Sequence, residues 1–140
     1  MSNSSPTLKE LKIKNNSASQ GGGFYIHSSN TMIINCEILN NTANVDGGGF
    51  IIGGNSEIEI SFCLIDGNNA SGGSGIAIEG SEVNFNKVTI VKNEATHHGG
   101  GIYLCHSARP AESIYEHKLV IKLNNKFELS HFGRKTPFFI

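Results

Sequence analysis

Charged residues, tryptophan and long apolar runs are scarce or absent in this 140-residue chain. Lys, Arg, Asp and Glu make up 16% of it, where about 25% is usual. With a net charge of −1 and a pI near 6.6, the chain lacks the basic character of a nucleic-acid-binding domain, so we expect no nucleic-acid partner. No apolar run is long enough to predict a transmembrane helix, and the first residues lack the apolar core of a signal peptide. Residues that favour helices are also few, which predicts β-structure with many turns.

Glycine, in contrast, is abundant and recurs at a fixed interval. Four clusters end at Gly23, Gly49, Gly75 and Gly101, each 26 residues after the one before (49 − 23, 75 − 49, 101 − 75). An apolar–x–apolar triplet follows each cluster: 24–26, 50–52, 76–78 and 102–104. An apolar residue also precedes each cluster at an equivalent position, and an asparagine or glycine follows that residue two positions later. We call each set of equivalent positions in successive repeats a column. These two columns are Ile13, Leu39, Ile65 and Val91, then Asn15, Asn41, Gly67 and Asn93, with the third asparagine displaced to Asn68.

Between the glycine clusters, apolar residues alternate with other residues, which is typical of strands. The side chains predicted to face inward are Met32, Ile34, Cys36 and Ile38, then Ile58, Ile60, Phe62 and Leu64, then Val83, Phe85, Val88 and Ile90. A unit this short cannot bury its own apolar face, so successive units must stack. We therefore predict an all-β fold, a right-handed parallel β-helix of about four 26-residue coils over residues 8–107. An irregular C-terminal tail, 108–140, is either a cap or a non-repeat extension.

Each recurring position has a predicted role in such a stack. Columns 24/50/76/102 and 26/52/78/104 should point inward, while Gly23, Gly49, Gly75 and Gly101 allow a bend or a close approach of coils. The asparagines at Asn15, Asn41 and Asn93 should hydrogen-bond along the axis. The remaining column should point outward and is a candidate ligand face, unless a loop, the tail or further coils cover it. That column consists of Tyr25, Ile51, Ala77 and Tyr103.

These repeats resemble those of right-handed parallel β-helices of the pectin-lyase-like superfamily, and among them most closely the repeat of polymorphic outer-membrane proteins. Gly-Gly-Gly-Phe at 21–24 and 47–50, and Gly-Gly-Gly-Ile at 99–102, look like the Gly-Gly-Ala-Ile tetrad of that repeat. The segments 38–43 and 90–95 look like its Phe-x-x-Asn element, with an aliphatic residue in place of Phe. The resemblance implies a surface-exposed or secreted, adhesin-like protein.

The residues that could carry chemistry do not form a recognisable site in the sequence. Cys36 should face inward and Cys63 outward, so we expect no bridge between them, and no zinc spacing is present. His97, His98 and His106 are interpreted as loop histidines. Asp46 and Asp66 fall in different columns, whereas a polysaccharide lyase or hydrolase needs carboxylates that converge on one face.

The sequence thus predicts no catalytic, cofactor-binding or metal-ligating residue. The leading hypothesis is a non-catalytic β-helix segment that presents a rigid face to a host surface, a glycan or a protein, in an extracellular or cell-surface setting. Because the repeat begins mid-coil near Leu8, we expect a fragment of a longer repeat protein that self-associates end to end when isolated. The alternatives are a fragment of a polysaccharide lyase or hydrolase, and a remnant without a function of its own.

Overall fold

The computed structural model describes residues 1–105, 121–124 and 128–129. Four short strands make up each coil, and each strand pairs in parallel with its counterpart in the next coil. The described residues contain no helix. The prediction of an all-β parallel solenoid of about four turns is therefore confirmed.

The strands follow one another in four successive coils. The first coil contains β1 (Thr7–Lys9), β2 (Lys12–Lys14), β3 (Ser17–Ala18) and β4 (Phe24–His27), and the second contains β5 (Asn30–Ile34), β6 (Glu37–Leu39), β7 (Thr42–Ala43) and β8 (Phe50–Gly53). The third contains β9 (Glu57–Ser61), β10 (Leu64–Asp66), β11 (Asn69–Gly72) and β12 (Ile76–Glu79), and the fourth contains β13 (Glu82–Asn86), β14 (Thr89–Val91), β15 (Glu94–His98) and β16 (Ile102–Cys105). Two further strands are β17 (Ile121–Asn124) and β18 (Glu128–Leu129).

Four parallel sheets run along the solenoid, and we number them in chain order. Sheet 1 has the order β1-β5-β9-β13-β17 and sheet 2 the order β2-β6-β10-β14-β18. Sheet 3 is β3-β7-β11-β15, and sheet 4 is β4-β8-β12-β16. The predicted boundary between repeats and tail falls at residues 107 and 108, which lie outside the described residues and stay a prediction.

The core is a stack of aliphatic side chains with aromatic rings among them. As predicted, Phe50 and Ile76 point inward from sheet 4 and are fully buried, as are Ile52 and Ile78 two positions later. The ring of Phe50 stacks on that of Phe24, with 5.0 Å between the centroids. Burial of these side chains stabilises the solenoid, since each coil covers the apolar rung of the next.

A residue in the left-handed conformation separates sheet 1 from sheet 2 in each coil, and it reverses the alternation that the sequence predicts. Glu10, Asn35, Phe62 and Lys87 occupy this position, with φ of 55°, 55°, 56° and 53°. The side chains of Met32 and Phe62 are consequently 42% and 51% exposed. Ile34 and Leu64 are only partly buried, so the inward assignment of these four residues is wrong. Thr31, Ile33, Cys36, Cys63, Val83 and Val88 face the core.

The columns of sheet 2 also differ from a strict 26-residue frame. The strand pairing aligns Ile13, Ile38, Ile65 and Ile90, which are separated by 25, 27 and 25 residues. Leu39 and Val91, assigned to this column from the sequence, are partly buried neighbours of it. The cause is a turn between β8 and β9 that has three residues, where the turns after β4 and β12 have two.

The same shift selects Asn16 rather than Asn15 as the first member of the asparagine ladder. The side-chain amide of Asn41 donates to Asn68 Oδ1 over 3.1 Å, and that of Asn68 donates to Asn93 Oδ1 over 2.9 Å. Asn16 continues the ladder by donating to Asn41 Oδ1 over 3.1 Å. Asn15 instead has a left-handed φ of 58°. The three inner asparagines are fully buried.

Candidate ligand-binding face

The predicted ligand column lies on the outer face of sheet 4, in register across four strands. Tyr25 pairs with Ile51, Ile51 with Ala77, and Ala77 with Tyr103. Tyr25 is 47% exposed, whereas Ala77 is fully buried. Ile51 and Tyr103 are partly buried. The column therefore presents aromatic rings at its two ends, with a covered centre.

Ala77 is not available to a ligand, which corrects its place in the candidate face. A Cβ placed on Gly73 would lie 2.7 Å from the Cβ of Ala77, so the backbone of the glycine cluster runs directly against this residue. Ile51 and Tyr103 flank it along the sheet. Periodicity predicts which way a side chain points, but it does not show what covers that side chain.

Next to this column, at the end of sheet 3, Gly72 packs against Asp46, His98 and Tyr103, a group that we call the Gly72 cluster. Asp46 bridges to Gly72, and Gly72 pairs with His98. A Cβ on Gly72 would lie 2.5 Å from Asp46 Oδ1 and 3.4 Å from Tyr103 Cδ1. The missing side chain therefore lets the Asp46 carboxylate and the Tyr103 ring pack directly against the backbone of Gly72.

The rings and charges of the Gly72 cluster interact with one another. His98 stacks on Tyr103, with 5.1 Å between the centroids and 15° between the planes. Burial raises the pKa of the Asp46 carboxyl, the nearby positive charge of His98 lowers it, and the charge of Glu79 raises it, with a net upward shift. Asp46 therefore holds its proton at higher pH than an exposed aspartate does.

A second outward column of sheet 4 adds polar groups beside Tyr25. His27, Gly53 and Glu79 occupy equivalent positions on β4, β8 and β12. A Cβ on Gly53 would lie 3.6 Å from His27 Cδ2 and 3.9 Å from Glu79 Cβ. Ser28 Oγ lies 3.0 Å from His27 Nδ1. We call the whole surface the tyrosine face, and its members are Tyr25, His27, Asp46, Glu79, His98 and Tyr103.

The sequence pattern predicts only part of this surface. Asp66 lies in β10 of sheet 2, away from Asp46, in agreement with their different columns. Glu79, however, acts electrostatically on Asp46, and no column relation predicts that interaction. The 26-residue frame does contain a signal, because Asp46, Gly72 and His98 align there. A glycine between two polar residues in one column allows their side chains to pack closely against the backbone.

Two further expectations about side chains are corrected by the structure. His97 and His98 lie in strand β15 rather than in a loop, and Ser71 Oγ is 2.9 Å from His97 Nδ1. Cys36 and Cys63 face the same side, because the left-handed Phe62 turns Cys63 into the core. His106 lies outside the described residues. Within residues 1–105, 121–124 and 128–129, no three His, Cys, Asp or Glu side chains are grouped so that they could hold a metal ion.

Comparison with known proteins gives a family but no individual relative. The model of a family described as the right-handed β-helix region matches residues 1–120. Neither the curated proteins nor the solved structures gave a match. The part of the chain that the structure describes holds no helix that could span a membrane.

Proposed function

Since the chain belongs to the right-handed β-helix family, we propose that it is a non-catalytic, adhesin-like segment whose tyrosine face binds a glycan. The observation that carries this proposal is an outward column of sheet 4 with the exposed Tyr25 ring at one end and, at the other, Tyr103 stacked on His98 of the adjoining sheet 3. Aromatic rings with a polar group combine apolar contact with hydrogen bonding, which is what the two faces of a sugar ring require.

The dimensions of the face fit a short oligosaccharide. Tyr25 and Tyr103 are separated by three strand-to-strand steps, or about 14 Å along the axis. Asp46 and Glu79 offer carboxylate acceptors to sugar hydroxyls, and His27 adds a ring nitrogen that can donate or accept. The strands hold these groups in place before a ligand arrives, which reduces the entropy lost on binding.

The charge of the face favours neutral or amino sugars. Asp46 and Glu79 are the acidic groups of the tyrosine face, and its basic groups are His27 and His98. No lysine or arginine is among the members of the tyrosine face, so no permanent positive charge there matches these carboxylates. A polyuronate would bring further carboxylates to this surface and be repelled. A neutral glycan, or one with an ammonium group, would not be repelled.

We also propose a surface-exposed or secreted setting for this segment. The Gly-Gly-Gly-Phe and Gly-Gly-Gly-Ile tetrads support membership of the pectin-lyase-like superfamily and a likeness to the polymorphic outer-membrane protein repeat. Extracellular β-solenoids of this kind present extended faces to a host surface, a glycan or a protein. The tyrosine face is where this chain would do so.

A carbohydrate-active enzyme is the second candidate, and one observation favours it. Burial raises the pKa of Asp46 and the charge of Glu79 adds to this shift, and a carboxyl with a raised pKa beside another carboxyl is found in acid–base catalysis. Glycoside hydrolases use such carboxyl pairs. Both candidate functions use the same surface, but only the enzyme would convert the bound glycan to product.

Binding is tested with the full chain on immobilised neutral, amino and uronate glycans. We expect retention on neutral or amino glycans, at least a tenfold loss of affinity in Tyr25→Ala, and little change in Met32→Ala. Met32 is a matched control, since it is 42% exposed on sheet 1. Equal binding by both variants, or retention on uronates alone, would overturn the proposal.

Turnover is tested on the glycan that binds, with a reducing-end assay and an assay for unsaturated products. The proposal predicts no product above the buffer control. Product formation that Asp46→Asn and Glu79→Gln both abolish would establish the second candidate instead.

A further inference from the structure

Two buried cysteines lie directly above one another in neighbouring coils. Leu64 pairs with Glu37, and the Leu64 N–H donates to the Cys36 carbonyl over 3.0 Å, which places Cys36 and Cys63 at equivalent corners. The Cys36 N–H donates to Cys63 Sγ over 3.4 Å. Both side chains are almost fully buried, with exposures of 1% and 3%. Paired parallel strands lie about 4.8 Å apart, which falls within the range of Cα separations that disulfides span.

We propose that Cys36 and Cys63 form a disulfide that links the second coil to the third. The thiolate of one cysteine attacks a low-molecular-weight disulfide, such as oxidised glutathione, and releases one thiol as a mixed disulfide forms. The second cysteine then attacks this mixed disulfide through its thiolate and releases the other thiol. The protein loses two protons and two electrons, and the small disulfide is reduced to two thiols.

The contacts of the two sulfurs show what must move when the bond closes. The Cys36 thiol donates to the Ile34 carbonyl over 3.3 Å, and the Cys63 thiol donates to the Ser61 carbonyl over 3.2 Å. The two side chains are therefore oriented alike, and at least one must rotate about its Cα–Cβ bond to bring the sulfurs together. The backbone can stay in place, because its separation already suits the bridge.

An oxidant can approach this corner from outside. A groove of about 800 Å³ has both cysteines in its lining, together with Leu11, Phe62 and Lys87. Phe62 is 51% exposed, and the Lys87 ammonium lies 5.0 Å from the centroid of its ring. The sulfurs themselves face the core, so they meet the oxidant while the chain folds or when this corner opens locally. The bridge is independent of the tyrosine face, which lies on sheet 4.

The test uses the Cys105→Ser full chain, which retains only Cys36 and Cys63. The protein is refolded in reduced and oxidised glutathione, and the free thiols are then alkylated and counted by intact mass. We expect no alkylated thiol and a monomer on a non-reducing gel. The oxidised form should also melt roughly 5–10 °C above the same chain with reductant, since the bridge closes a loop of nearly thirty residues.

The control is Cys63→Val in the Cys105→Ser chain, a replacement chosen because Val88 fills the corresponding buried position of the fourth coil. Its melting temperature should not respond to reductant. Each comparison is made between oxidised and reduced samples of one variant, so a general loss of stability does not obscure the result. Two alkylated thiols in the folded oxidised chain, or a bridge found only between chains, would overturn the proposal.

Discussion

At the scale of single residues, close contact between coils explains the last glycine of each cluster. A Cβ on Gly49 would lie 2.5 Å from the carbonyl oxygen of Gly75 in the next coil, and one on Gly23 would lie 2.6 Å from that of Gly49. The first glycine of a cluster has another reason, because Gly47 has a φ of 71°. One cluster therefore combines a left-handed turn with a close approach of backbones.

Replacing Gly49 by valine should destabilise the chain by about 1–3 kcal/mol, because the new side chain overlaps a backbone carbonyl that cannot move away. Thermal or urea unfolding measures the change. Glu57→Gln, at an exposed position of β9, should leave the midpoint almost unchanged. Equal midpoints for Gly49→Val and the parent chain would show that the coils are not in contact here.

Asp46 gives a pH-dependent prediction. Its pKa in the folded state is raised, mainly by burial, so the folded protein binds this proton more tightly than the unfolded chain does. Stability associated with Asp46 is therefore gained as the pH falls below the folded-state value and is absent at neutral pH. Asp46→Asn should raise the melting temperature slightly at pH 7 and lose this advantage near pH 4. A variant that melts below the parent at pH 7 would contradict the account.

At the scale of structural elements, the asparagine ladder stabilises the turn between sheets 2 and 3 by hydrogen bonds between coils. Asn68 Oδ1 accepts the Asn41 N–H over 2.9 Å, and its amide donates to the Ile38 carbonyl over 3.0 Å. Buried backbone groups of the turn thus find partners in the neighbouring coil. Removing one amide leaves several buried groups without partners, which costs more than the loss of one exposed hydrogen bond.

Asn68→Ala should therefore destabilise the chain by about 2–4 kcal/mol. Its neighbour Asn69 has an exposed side chain, so Asn69→Ala is the matched control and should cost less than about 1 kcal/mol. Urea unfolding of both variants measures the two losses of stability. Similar midpoints for the two variants would mean that the ladder contributes little to stability.

The sequence predicts the elements well where the chain is regular and fails where one residue reverses direction. Sheet 4 recurs at a constant 26 residues, and the prediction of its inward positions from Phe24 to Leu104 is correct. The corner between sheets 1 and 2 is different, because Phe62 adopts a left-handed φ of 56° that is rare for a bulky residue. No local sequence pattern predicts that conformation, so the predicted alternation continues past the corner and wrongly assigns Phe62 and Leu64 to the core.

The sequence also predicts only part of the candidate site. Periodicity identifies the outward column with Tyr25 and Tyr103, because a strand alternates its two faces. It does not reveal the burial of Ala77 or the interaction of Glu79 with Asp46. Those depend on where the glycine backbone and neighbouring coils lie, which is a property of the packed solenoid.

At the scale of the whole molecule, a solenoid leaves open strand edges at its two ends. Residues near the N-terminus cover only the edge of β4 at one end, since the Met1 ammonium donates to the Tyr25 carbonyl over 2.7 Å and the His27 N–H donates to the Met1 carbonyl over 2.9 Å. Among the described residues, β2 and β3 have no strand on their N-terminal side, and β15 and β16 have none on their C-terminal side. Such edges are templates for pairing with another chain.

The isolated chain should therefore self-associate end to end as its concentration rises. Size-exclusion chromatography with light scattering across a concentration series should show masses above the 15.0 kDa of one chain. Dilution should reverse the association, because edge-to-edge pairing is not covalent. A monodisperse monomer at all concentrations that melts cooperatively would contradict this prediction.

Chemical-shift mapping by NMR would show directly whether the tyrosine face binds a glycan. A neutral or amino oligosaccharide is titrated into the isotope-labelled chain, and amide and aromatic resonances are followed. We expect saturable shifts at five members of the face, with Met32 and Phe62 unchanged: Tyr25, His27, Glu79, His98 and Tyr103. Shifts centred on the corner groove at Phe62, or no saturable shift with any glycan tested, would contradict it.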